Sequence, residues 1–74
     1  MSSKNLSTLL AEAESAKTLQ KLGYELKSGE FTGYDEYFKH MKQECLKRLD
    51  QMKRHGGYST DQLKGFEDRM ARLF

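Results

Sequence analysis

The chain contains neither valine nor isoleucine. Those β-branched residues are the ones strands use most to fill a pleated, half-buried face. The apolar stock is leucine, methionine, phenylalanine, tyrosine and alanine. Three of these, leucine, methionine and alanine, are strong helix formers. A sheet built from this alphabet would lack its usual side chains, so the expected fold is all-α. With 74 residues the chain is expected to form a single domain, positions 1–74, arranged as a small three-helix bundle.

Helix one is expected over about 5–28. Leu6, Leu9, Ala13 and Ala16 fall at spacings of three and four, as one face of a helix requires. Leu19, Leu22 and Leu26 continue the periodicity but drift round the axis from the first set. Either the helix bends near Ser15–Thr18 or its two ends touch different neighbours. Glycine favours the position just past a helix end, and Gly23 and Gly29 both qualify. We place the stop at Gly29; stopping at Gly23 would turn Tyr24–Phe31 into a short connector.

Helix two is expected over about 33–55. Tyr34, Phe38, Met41, Cys45, Leu49 and Met52 recur at intervals of four, three, four, four and three, a continuous apolar stripe. Tyr37 and Leu46 widen it on either side. Thr32 is the expected N-cap, with Asp35 aiding the positive end of the helix dipole. Lys53, Arg54 and His55 suit the negative end, and Gly56 supplies the stop.

Helix three is expected over about 60–73. Ser59 and Gln62 have the spacing of a capping box, and Tyr58 before the cap can pack on Leu63 as a hydrophobic staple. Leu63, Phe66, Met70 and Leu73 form its apolar face. Gly65 weakens the helix by up to about 1 kcal/mol relative to alanine, so this element depends on tertiary contacts. The short connection makes helices two and three an antiparallel hairpin.

A domain this small has a thin core, and Cys45 is its single cysteine, so no internal disulfide can reinforce it. Association with another chain, including a second copy in a homodimer, is the simplest supplement. An unpaired cysteine suits a reducing interior, and the leucines near the N-terminus are interrupted by Glu12 and Glu14, unlike a signal sequence or membrane span. A cytoplasmic location without membrane contact is expected.

No chemistry is announced. Glu36, His40 and Glu44 lie at i, i+4 and i+8 beside Cys45, yet a closed zinc site uses four ligands, mostly sulfur and nitrogen, and paired C-x-x-C or H-x-x-x-H spacings are absent. A di-iron bundle uses Glu-x-x-His, whereas Glu36 stands four residues before His40. Cys45 sits within the apolar stripe, where a thiol packs as a small hydrophobe. Gly56–Gly57 precedes a helix but follows no strand and lacks the lysine of a phosphate loop. The expectation is a non-enzymatic protein with no catalytic, cofactor-binding or metal-ligating residues.

Two binding readings remain. Nucleic acid would use Lys39, Lys42, Lys47, Arg48, Lys53 and Arg54. On a helical wheel these cations spread round the axis, and Asp35, Glu36, Glu44 and Asp50 sit among them, leaving a net of +2 over 32–57. Binding driven by counterion release scales with the phosphates neutralised, so this is the alternative reading. The favoured partner is another protein. Aromatic residues, Met and Arg are enriched at interfaces, and Tyr34, Tyr37, Phe38 and the terminal Phe74 are the expected contact residues. A free-standing chain of this size is expected to act as a regulator or inhibitor docking on something larger. No signature in the sequence assigns it to a family.

Overall fold

In a computed structural model that describes residues 4–26 and 29–74, the chain is all helical: α1 Leu6–Lys21, α2 Tyr34–His55 and α3 Thr60–Leu73. Each helix packs on the other two. The start of α1 lies beside the end of α2 and the start of α3, and the opposite ends meet in the same way. α2 therefore runs antiparallel to both neighbours, as the short connection from Gly56 to Ser59 requires.

The core takes its residues from the expected stripes, with Leu10 added to the face of α1. Leu6, Leu9, Leu10 and Ala13 of α1 meet Met41, Cys45 and Leu49 of α2 and Met70 and Leu73 of α3. Leu10 and Cys45 are fully enclosed. Tyr37, Phe38, Met52, Leu63, Phe66 and Phe74 pack round the margin. Leu46 does not widen the stripe of α2; it is 47% exposed.

The helix ends show how local chemistry sets the architecture. Asn5 caps α1, its side-chain oxygen accepting from the Thr8 N–H at 2.8 Å. The far end of α1 departs from expectation, since the helix stops at Lys21 rather than continuing towards Gly29. Gly23 adopts φ 89°, and the chain closes a double hydrogen-bonded turn. The Tyr24 N–H donates to the Leu19 carbonyl at 3.0 Å and the Gly23 N–H to the Gln20 carbonyl at 3.1 Å. This is the Schellman arrangement, which satisfies carbonyls the helix would otherwise leave open. Of the remaining stretch expected in this helix, Lys27 and Ser28 lie outside the described residues.

α2 begins one residue later than expected, with Gly33 rather than Thr32 at the N-cap. No side chain caps from that position; instead Glu36 Oε2 accepts from the Thr32 N–H at 3.3 Å. α3 starts as its spacing predicts. The Gln62 N–H donates to Ser59 Oγ at 3.1 Å, and the Ser59 N–H donates to Gln62 Oε1 at 3.0 Å. Among the described residues no helix is long and apolar enough to cross a membrane.

Candidate interaction surface

The four aromatic residues expected to make contacts gather at one end of the bundle, where α1 stops, α2 starts and α3 finishes. Tyr34 and Phe38, one turn apart on α2, stack with ring centroids 6.0 Å apart. Tyr37 meets Phe38 edge-on at 5.4 Å and meets Phe31, from the preceding connection, at 5.6 Å. Phe31 also lies 5.1 Å from the His40 ring. Edge-on and offset ring pairs at these separations suit the aromatic quadrupole. The Tyr34 hydroxyl donates to the Tyr24 carbonyl at 2.7 Å, which ties the α1–α2 connection to the first turn of α2. Lys17 of α1 places its ammonium 4.9 Å above the Phe38 ring. Phe74 stands with Phe38 in the wall of a 240 Å³ cleft whose rim carries Lys17 and Lys42.

These side chains are half-buried, and Tyr37, Phe38 and Phe74 rest against the core. Burial, with a smaller contribution from the Glu12 carboxylate, pushes the Tyr37 hydroxyl above its ordinary pKa. Much of the aromatic surface is therefore used within the monomer. What stays open lies beside it. Leu19 is 45% exposed, Leu22 68% and Tyr24 59%. Leu19 also lines a shallow 720 Å³ groove along α1, with Ala11, Glu12, Ser15, Ala16, Leu26 and Tyr37. The sequence signal for this surface is the leucine set that drifts off the core face.

The six cations of the alternative reading are distributed differently from expectation. At 100° per residue and by exposure, five of them share the solvent face of α2, and Arg48 alone turns inward. The acids share that face. Arg54 pairs with Asp50 at 3.0 Å and Lys53 with Glu67 of α3 at 2.7 Å, while Lys47 approaches Glu44 at 4.0 Å. Charges paired in this way offer phosphates little net attraction.

Cys45 is free and fully buried, and burial first, then the Glu44 carboxylate, raises its thiol pKa. That is the reverse of what a reactive thiolate requires. Glu36, His40 and Glu44 do not converge, and among the described residues no group of three or more His, Cys, Asp or Glu side chains is placed to hold a metal ion.

At the opposite end of the bundle lies a feature that sequence reasoning missed. A 700 Å³ cleft opens between the start of α1, the end of α2 and the first turns of α3. Leu6, Met52 and Phe66 form its apolar wall, and Tyr58 and Gly65 contribute from the α3 side. Tyr58, expected to staple onto Leu63, is 46% exposed there. Compared with protein-family models, curated proteins and solved structures, the chain matches none of them.

Proposed function

We propose that this chain is a non-enzymatic cytoplasmic protein that binds another protein, acting as a regulator or inhibitor that docks on a larger partner. The observation that carries the reading is the apolar surface at the end of α1. Leu19, Leu22 and Tyr24 are all exposed, and Leu19 lines a groove whose small residues, Ala11 and Ser15, would let a partner backbone approach closely. Exposed apolar residues that gather into one patch mark association sites on soluble domains. Tyr37 lines the same groove, Phe38 packs edge-on against Tyr37, Tyr34 stacks on Phe38, and Phe74 shares a cleft with Phe38. The single buried thiol suits a reducing compartment.

The test is capture from the native host's extract with the chain and with a Leu19→Asp/Leu22→Asp variant. The wild-type chain is expected to retain a protein after nuclease treatment. The double variant is expected to lose it while its circular dichroism stays helical. Capture abolished by nuclease, or undiminished in the double variant, would overturn the reading. Light scattering on the purified chain decides whether that partner is a second copy.

A further inference from the structure

The cleft at the opposite end has a different character from the docking face, and its chemistry is specific. Its volume of 700 Å³ lies within the range of roughly 300–1,000 Å³ typical of small-ligand pockets. Leu6, Met52 and Phe66 supply a continuous apolar wall. Gly65 removes a side chain from that wall, and a Cβ built there would meet nothing within 4 Å. Glycine in mid-helix lowers stability, so the open space is bought with some of the stability of α3.

The ionisable residues lining the cleft are mostly basic. Lys4, Arg48, His55 and Arg69 line it, and among the described lining residues Asp61 is the one acid. Lys4 and Arg69 already hold Glu12 and Glu14. Arg48 is in another position: its Nε is buried with no hydrogen-bond partner, among the described residues it is in none of the ion pairs, and its side chain also borders a second cavity lined by Glu12, Glu30 and Glu44. A buried guanidinium nitrogen without an acceptor is costly, and a side-chain rotation that turned it towards the cleft would let an anion there satisfy it. The first turns of α1 and α3 both border the cleft, and helix N-termini add positive potential and free N–H groups. The end of α2 brings the opposite dipole, with the basic residues Lys53 and Arg54 in its last turn held in ion pairs to Glu67 and Asp50.

We infer that this cleft binds a small amphipathic anion, a carboxylate whose apolar body lies on Leu6, Met52 and Phe66 while its charge meets Arg48. An inorganic anion would leave the apolar wall unused, and a neutral or cationic amphiphile would leave Arg48 unpaired.

The probes are decanoate, decanol and decylammonium, each kept below its aggregation concentration and titrated into ¹⁵N-labelled full-length chain. Decanoate is expected to shift the amides of Leu6, Gly65 and Phe66 along saturating curves, with decanol weaker and decylammonium without effect. Arg48→Met keeps an apolar stem and removes the charge; it is expected to weaken decanoate by about tenfold or more. Gly65→Leu fills the cleft with a better helix former and is expected to abolish the shifts with no loss of thermal stability. The inference is overturned if decanoate gives no saturable shift, if decylammonium binds as tightly, if both variants bind like the wild type, or if the shifts centre on Leu19, Leu22 and Tyr24.

Discussion

Arg69 of α3 grips Glu14 of α1 through two contacts, Nη2 to Oε1 at 2.7 Å and Nε to Oε2 at 3.4 Å. The two residues are far apart in sequence and lie on helices that no loop connects directly. The pair therefore reports how α3 is aligned against α1 once both have packed on α2. Its side chains are 34% and 47% exposed, which screens the attraction. A double-mutant cycle of Glu14→Gln and Arg69→Gln, read by urea unfolding, is expected to give a coupling of no more than about 1 kcal/mol. That coupling should shrink as salt is raised. A coupling several times larger would mean that this pair, rather than the apolar core, fixes the helix arrangement.

The core makes the opposite prediction. Leu10 is fully enclosed between the three helices, whereas Leu22, another leucine of the same segment, is 68% exposed. Leu10→Ala removes buried methyl groups and leaves a cavity, at a cost of about 2–5 kcal/mol. In a domain this small that lowers the melting temperature by on the order of 10–20 °C or more. Leu22→Ala is expected to stay within about 0.5 kcal/mol of the wild type. Paired thermal melts check both, and a large loss for Leu22→Ala would mean that its side chain is covered in the folded protein.

Stability should fall in alkaline solution, and Cys45 is one cause. Its thiol pKa is raised in the folded chain, chiefly by burial. The folded state therefore holds the thiol proton over a pH range in which the unfolded state has released it. The contribution is full below the unfolded thiol value of about 8.5 and is lost as pH rises through the folded value. Tyr37, also raised by burial, adds a loss of the same sign at still higher pH. Urea midpoints at neutral and alkaline pH should show the decline, and Cys45→Ala should flatten it without removing the Tyr37 part. The same burial predicts that a thiol reagent labels Cys45 only as fast as the chain opens.

How much of this was legible in the sequence depended on distance along the chain. The Ser59–Gln62 capping box could be read because both partners are local and their spacing alone sets the geometry. The core stripe of α2 was legible for the same reason: Met41, Cys45 and Leu49 are held to one side by helical periodicity. The end of α1 was not. Gly23 and Gly29 are equally acceptable helix stops by residue type, and the choice turns on whether the Tyr24 N–H reaches the Leu19 carbonyl. Leu22 has no core to join on this side, so nothing rewards a longer helix. The cleft was invisible for a further reason. Leu6, Arg48 and Phe66 come from three separate helices, and no local pattern joins them. Its one trace was Gly65, a mid-helix glycine that looks only like a weakness until the space beside it is seen. Tyr34, Tyr37 and Phe38 stand out in the sequence as aromatic residues close together at the start of α2, but their half-burial follows from the packing of the rest of the chain around them.

Two glycines near one another should respond to alanine with opposite signs. Gly56 ends α2 with φ 74° and ψ −169°, a region essentially reserved for glycine, where another residue carries a strain of about 1–3 kcal/mol. Gly65 lies within α3, and an added Cβ there meets open space. Gly56→Ala is therefore expected to destabilise the bundle by about 1–3 kcal/mol. Gly65→Ala should stabilise it by up to about 1 kcal/mol through helix propensity and a less flexible unfolded chain. The comparison uses one chemical change at two sites, so differences in side-chain hydrophobicity cancel and the backbone term remains. Urea unfolding of the two variants decides it. A loss of stability in Gly65→Ala would mean that α3 needs glycine for its own conformation, and Gly65 would then cease to be an opening kept for a ligand.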